Sequence, residues 1–269
     1  MQLIESIEEV KRIQLDILSA LDDFCAQTGI VYSIIDGTLL GAVRHKGYIP
    51  WDDDIDVAMT RPNYDRFIKE FPIQYKEIYE LASIERSKKW DRAYACMYDN
   101  RTQLVYKNNS SVATGVLIDI FPVDEVPELL SDWNKLKKKM KFYCKLSALK
   151  SSTSFRVSKS LVTNIIASIS RIILLPITKR YVAERIDKLA RSNNGKGYKF
   201  GYEVAFGVGA DNRFKISDFN DVVDYVFEDR IFKGLKNSDS VLTDTYGDYM
   251  QLPPEEKRIT HHELNAYWK

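Results

Sequence analysis

Cysteine is scarce in this chain: Cys25, Cys96 and Cys144 are the only three in 269 residues. They are far apart and odd in number, and no Cys-x-x-Cys spacing or Cys/His pair occurs. This excludes a disulfide framework, gives no support to a structural zinc site, and fits a reducing cytoplasm. Long apolar runs are missing as well. No stretch of 18 apolar residues exists, so no membrane-spanning helix is expected. The first residues, MQLIESIEEVKRIQ, lack the basic start and apolar core of a signal peptide. Histidine is limited to His45, His261 and His262, and the chain carries neither internal repeats nor low-complexity linkers.

What is present is ordinary globular material, 45% hydrophobic and 29% charged, enough to bury a large core. The formal net charge of +1 favours no partner by itself, but the charge is unevenly spread. Residues 131–200 hold 17 Lys and Arg against three acids, Asp132, Glu184 and Asp187. A segment so basic points to an anionic partner. Nucleic acid is not the expected one, because only Trp133, Phe142, Tyr143 and Phe155 interleave the basic residues between 131 and 171. Within this segment, Ser160 to Ile177 is apolar but interrupted by Arg171 and Pro176. It reads as a buried helix, or as one lying in a membrane interface with its basic neighbours on anionic lipid.

The stretch from Ile34 to Met59, IIDGTLLGAVRHKGYIPWDDDIDVAM, carries most of the chemistry. Before it, Ser6 and Glu9 make a capping box, and apolar residues at helical spacing predict a helix over 6–26 that Gly29 ends. Val31 to Ile35 reads as a buried strand. Asp36-Gly37-Thr38 then starts a short helix, stopped by Gly47 and Pro50. A second strand, Ile55 to Met59, has Asp54 at its mouth and Asp56 inside it. Residues two apart in a strand share a face, so these carboxylates stand side by side and repel each other unless a cation lies between them. Oxygen ligands of this kind suit Mg²⁺. A glycine-containing turn at a helix start lets backbone N–H groups approach a phosphate, which makes Gly37 and Thr38 candidates for that contact. Arg44 and His45 form a cationic pair able to hold a phosphate. A turn followed by paired acids on the next strand is the layout of the nucleotidyltransferase fold.

Further on, Pro62 opens a helix through Phe71, and Glu77–Ile84, Arg92–Tyr98 and Gln103–Tyr106 read as strands of a meander. Val116 to Phe121 is a buried strand interrupted by Asp119. A lone Asp there is costly unless paired or bound to a cation. Asp119 is therefore expected beside Asp56, completing a three-carboxylate cluster. Residues 127–191 read as helices and 192–197 as a loop. Short strands follow at 200–206, 214–216 and 225–232, the last with Glu228-Asp229 as a hairpin tip. A short helix ends at Gly247, and the tail closes in polar sequence. The expectation is one α/β (α+β) domain over 1–269: a mixed sheet with flanking helices and a basic helical insertion at about 127–199.

At these residues the chain resembles the LicD family of phosphotransferases, with its fukutin-related members. The blocks that carry the likeness are DGTLLGAVRH (36–45), IPWDDDID (49–56), DIFPVD (119–124), YGDY (246–249), LPP (252–254) and His261-His262. The resemblance implies transfer of phosphocholine, or a related phospho-alcohol such as ribitol phosphate, from a CDP-linked donor such as CDP-choline. The acceptor it implies is a hydroxyl of a glycan, teichoic acid or lipopolysaccharide in type and lipid-linked. It assigns Asp54, Asp56 and Asp119 to Mg²⁺ (or Mn²⁺) binding and catalysis, with Asp52 and Asp53 as neighbouring acids. Asp119 would ligate a second ion or take the acceptor's proton. Gly37 and Thr38 match the phosphate-contacting turn, and Arg44, His45, His261 and His262 are candidate substrate-binding residues. The location expected is cytoplasmic, peripheral at the inner membrane face through residues 131–199. Within the same fold the competing activity is nucleotidyl transfer with release of pyrophosphate. A choline head group is best held by aromatic faces, and Trp90, Tyr94, Tyr98, Tyr106, Tyr246 and Tyr249 are the candidates.

Overall fold

The chain starts with a short strand, β1 (Gln2–Ile4), and the long helix α1 (Ile7–Thr28). The computed structural model describes residues 1–106, 114–151, 176–205, 207, 213–259 and 264–269. Ser6 caps α1 by accepting the Glu8 N–H, and Gly29 closes it in the left-handed conformation. The Ser6 hydroxyl donates to Glu8 at 2.6 Å, whereas Glu9 accepts the Trp268 indole N–H at 2.8 Å. The expected Ser6–Glu9 box is thus replaced, because Glu9 is engaged by the far end of the chain. Ile13, Ile17, Leu21 and Phe24 form the inward stripe of α1 and are buried.

Four elements then build the centre: β2 (Ser33–Ile34), α2 (Asp36–Arg44), β3 (Asp56–Thr60) and α3 (Arg61–Glu70). Pro62 lies in the first turn of α3, where its missing N–H costs nothing. β4 (Tyr79–Ala82), β5 (Ala95–Asp99), β6 (Thr102–Tyr106) and β7 (Leu117–Val126) follow. The basic segment supplies α4 (Leu130–Ser151) and α5 (Lys179–Ala190). The last part contains β8 (Phe200–Tyr202), β9 (Phe214–Lys215), β10 (Val222–Phe227), β11 (Arg230–Leu235), α6 (Ser238–Tyr246) and β12 (Leu264–Trp268).

The main sheet runs β10-β11-β2-β3-β7-β5-β4, and β8 joins it through β7. It is mixed: β11–β2 and β3–β7 are parallel and the remaining pairs antiparallel. Helices flank it, giving the mixed α/β architecture expected. Three details differ from the sequence reading. β6 leaves the meander for a separate three-stranded sheet, β1-β12-β6. The tail read as a polar close ends in a strand, Leu264 to Trp268, held between β1 and β6. β7 continues past Phe121 through Pro122 to Val126, changing partner from β5 to β8 along the way.

The sheet and α1–α3 share one large core, while α4 and α5 close a second around Trp133, Met140, Val182 and Ile186. The two regions are joined by a buried ion pair. Arg61 at the start of α3 donates twice to Asp124 on β7, at 2.7 and 2.6 Å, and once to Asp187 on α5, at 3.1 Å. Among the described residues, no helix is long and apolar enough to cross a membrane. Of the apolar stretch Ser160–Ile177, residues 160–175 lie outside the described residues.

Candidate active site

The acidic run leading into β3 alternates. Asp52, Asp54 and Asp56 are half-buried on one side, and Asp53, Ile55 and Val57 are buried on the other. Extended backbone with period two puts the first three on one face and turns Asp53 into the protein. The backbone of the run is fixed from below. Gln14, buried on α1, donates to the carbonyls of Asp53 at 3.0 Å and Leu117 at 3.3 Å, and it accepts from the Tyr48 hydroxyl at 3.1 Å. The β10–β11 turn clamps the preceding loop, where Glu228 accepts the Tyr48 N–H at 2.9 Å. A Cβ on Gly47 would lie 2.1 Å from the Glu228 carboxylate, so any larger residue would push Glu228 off the Tyr48 N–H.

Asp119 stands where expected. β3 and β7 are parallel, with Asp56 in register with Asp119, and the Asp119 N–H donates to the Ile55 carbonyl at 3.0 Å. Arg92, which the sequence reading did not single out, lies 3.4 Å from the Asp119 carboxylate. Gly37 and Thr38 open α2 against the acids. The Thr38 hydroxyl accepts the Asp56 N–H at 2.9 Å, tying the helix start to the strand. At Gly37, a Cβ would sit 2.6 Å from an Asp52 carboxylate oxygen; the missing side chain is what lets Asp52 close in.

Two further acids complete the group, and neither was a candidate from sequence. Asp36, at the first position of α2 with φ +47°, and Glu203, just after β8, line the same cavity as Asp52, Asp54 and Asp56. This cavity has a volume of about 360 Å³. Burial raises the Asp36 carboxyl to about 6. Burial, followed by the charge of Asp54, raises Asp52 to about 7. Burial and then Asp36 push Glu203 to about 8. Asp56 is driven well above the ordinary carboxylate range by burial and then by Asp54, Asp36 and Asp119. A cation placed among these carboxylates would relieve the mutual repulsion. Among the described residues, no three acids already close around one ion-sized point. The donor set nevertheless fits a hard divalent cation, being all carboxylate oxygen on adjacent strands.

A larger cavity, about 850 Å³, adjoins the first and shares Gly37, Asp52 and Tyr246 with it. Arg44 and Arg258 stand in its wall beside Trp51. Arg44 reaches the C-terminal segment, donating to the carbonyls of Tyr249 at 2.5 Å and Gln251 at 3.4 Å. Arg258 lies over the Trp51 ring at 5.6 Å. His45 packs edge-on against Trp51, and burial and then Arg44 lower its pKa. His261 and His262 lie outside the described residues. Of the aromatic candidates, Tyr246 reaches both cavities and Tyr249 the larger one. Trp90 and Tyr98 are held elsewhere: Trp90 is buried and donates to the Tyr94 carbonyl, and Tyr98 donates to Glu80, while the backbone of Tyr106 belongs to the smaller sheet.

Comparison with known proteins finds the family described as LicD/FKTN/FKRP, nucleotidyltransferase domain, matching residues 29–158. The chain is 30% identical over 267 residues to the lipopolysaccharide cholinephosphotransferase LicD of Haemophilus influenzae, covering 97% of this chain and 98% of that protein. It is also 37% identical over 73 residues to an uncharacterised protein of Rickettsia typhi, covering 27% of this chain and 23% of that protein. An uncharacterised protein of Rickettsia prowazekii is 29% identical over 116 residues, covering 38% of this chain and 43% of that protein.

Proposed function

The chain belongs to the LicD family, and on that premise we propose that it moves phosphocholine from CDP-choline to a hydroxyl of a cell-surface glycan precursor, releasing CMP. The observation that carries the reading is the in-register pair Asp56 and Asp119, with Asp52 and Asp54 lining the same cavity as Asp56. Similarity to a lipopolysaccharide cholinephosphotransferase along nearly the whole chain supports the choice of transferred group.

In this reaction the acceptor oxygen bonds to the phosphorus that bears choline, and the bond from that phosphorus to the oxygen of CMP breaks. Phosphoryl transfer of this kind depends on positioning and charge neutralisation more than on covalent help. Asp54, Asp56 and Asp119 would hold Mg²⁺ or Mn²⁺, which supplies neutralisation of the diphosphate charge when bound. Arg92 stands 3.4 Å from the Asp119 carboxylate and holds it in place beside the proposed ion. Asp52, common to both cavities and raised to about 7, is the better acceptor for the proton of the attacking hydroxyl. The larger cavity, with Trp51 and Arg258 in its wall, has the size for the nucleotide end of the donor.

The acceptor is lipid-linked in this reading, and the enzyme works in the cytoplasm, peripheral to the inner membrane face. Its support is the basic surface of α4 and α5, where Lys138, Lys139, Arg185 and Lys188 surround a cavity with Phe142 in its wall. The experiment is to offer CDP-choline, CDP-ribitol and CTP separately with acceptor and Mg²⁺, and to resolve CMP from pyrophosphate. CMP from CDP-choline alone is the expected result. CMP from CDP-ribitol alone would keep the mechanism and change the substrate, and pyrophosphate from CTP with no CMP from either donor would overturn the reading.

A further inference from the structure

The smaller cavity has a second character that metal binding does not use. Besides the β3 acids it is walled by three aromatic rings: Tyr202 from β8, Phe214 from β9 and Tyr246 from α6. Tyr202 and Phe214 lie parallel, with 7° between their planes and 6.5 Å between centroids. Glu203 follows Tyr202 directly and is half-buried in the cavity wall; burial and then Asp36 are what raise it. No cation takes part in the electrostatics of Glu203 or of Asp36 among the described residues. Two half-buried carboxyls that meet no cation among the described residues, set beside aromatic rings, are costly until a cation arrives.

The chemistry of the wall separates the kinds of cation. A small divalent ion requires a shell of oxygen ligands and gains little from a ring. A quaternary ammonium has no N–H to donate, and it is drawn both to ring faces and to diffuse negative charge. We propose that Tyr202, Phe214 and Tyr246, together with Glu203 and Asp36, form the subsite that reads the quaternary ammonium of the donor head group. This rests on the phosphocholine reading above and deepens it. The subsite lies in the cavity of Asp54 and Asp56, so a head group seated there keeps its phosphate beside the proposed metal ligands. Tyr202, Glu203 and Phe214 come from parts of the chain distant from the acidic run, and the pairing of β8 on β7 at Asp124↔Tyr202, with β9 on β8, is what brings them in.

The test is equilibrium calorimetry without acceptor, so that no turnover occurs. CDP-choline is compared with CDP-glycerol, which has the same diphosphate ester charge and a neutral alcohol, and with CDP-ethanolamine, whose ammonium is unmethylated. The wild-type protein is expected to bind CDP-choline about 5- to 30-fold more tightly than CDP-glycerol, with CDP-ethanolamine between them. Glu203→Gln and Phe214→Leu should each remove most of that margin while binding CDP-glycerol and Mn²⁺ as the wild type does. If the wild type shows the margin and both variants retain it, this subsite is refuted and the phosphocholine reading stands. If the wild type shows no preference for CDP-choline, both fall together. If Glu203→Gln loses Mn²⁺ affinity and keeps the margin, Glu203 belongs to the metal and the assignment here is overturned.

Discussion

Asp56 and Asp119 are register partners across the parallel β3–β7 pair, each the half-buried residue among buried neighbours on its strand. Neighbouring strands lie about 4.8 Å apart, so two carboxylates are held together at the middle of a sheet by backbone hydrogen bonds alone. Asp56→Asn or Asp119→Asn should lower CMP release by at least about 100-fold, as expected when a group that stabilises developing charge is lost. For Asp56→Asn the melting temperature without metal should hold or rise, because the repulsion from Asp54, Asp36 and Asp119 is relieved. Either variant turning over at the wild-type rate would sink the site assignment.

The raised carboxyls make the metal-free protein sensitive to pH. Asp36, Asp52 and Glu203 are lifted to about 6, 7 and 8, and unfolding returns each to the ordinary range near 4. The folded state therefore holds protons that the unfolded state releases. Their contribution to stability is full below pH 4 and is lost as pH rises through 6 to 8. Other ionisable groups add their own slopes, so the clean comparison is with Asp52→Asn. Relative to the wild type, this variant should gain about 1–2 kcal/mol between pH 4.5 and 8, read from urea unfolding. Mn²⁺ should flatten the wild-type curve. A constant difference across that range would contradict the burial argument.

Arg61 and Asp124 test the joint between the two cores. Both side chains are almost fully buried, at 5% and 0% exposure, and Asn194 also donates to Asp124 at 2.5 Å. Arg61→Met leaves Asp124 charged and buried without its main partner, at a cost of about 3–5 kcal/mol. For a domain of this size that is a drop of very roughly 5–20 °C in melting temperature, measurable by calorimetry. A loss under 1 kcal/mol would mean that Asp187 and Asn194 can reorganise around the change.

The basic surface of α4 and α5 should bind anionic vesicles and release them with salt. Screening shortens from about 10 Å at 0.1 M to about 3 Å at 1 M. Flotation with phosphatidylglycerol-containing and pure phosphatidylcholine vesicles decides the matter. Equal recovery from both would leave the surface without a lipid role.

The parts of this fold that sequence exposes are those where local chemistry and tertiary setting agree. The apolar stripe of α1 has one way to be buried, and an Asp in the run Val116 to Phe121 has few partners that repay its burial. Asp36 and Glu203 were opaque because each looks like a turn or loop residue until α2 and β8 converge. Arg44 reads as a phosphate ligand because it is a cation near acids, yet its guanidinium is engaged by tail carbonyls more than 200 residues away in sequence. Thr38 reads as part of a turn, and only β3 beside it reveals that its hydroxyl holds the Asp56 N–H. The sequence predicts that β7 ends at Phe121, because a proline such as Pro122 breaks most inner strands. Leu264 to Trp268 is too short to announce itself, and its partners lie at residues 2–4 and 102–106.

The last of these pairings bears on the covalent order of the chain. Antiparallel β1 and β12 put Gln2 opposite Trp268, so the two ends are separated by about 5 Å, one rung of a ladder. Anything attached before Met1 or after Lys269 would leave the molecule from the same spot. Joining the ends through a few glycines would ask for no rearrangement of the fold, and it would remove loop entropy from the unfolded chain, a stabilisation of about 5 kcal/mol at most. The sequence could then be opened at a surface turn, and a β1–β12 hairpin would lie in its interior.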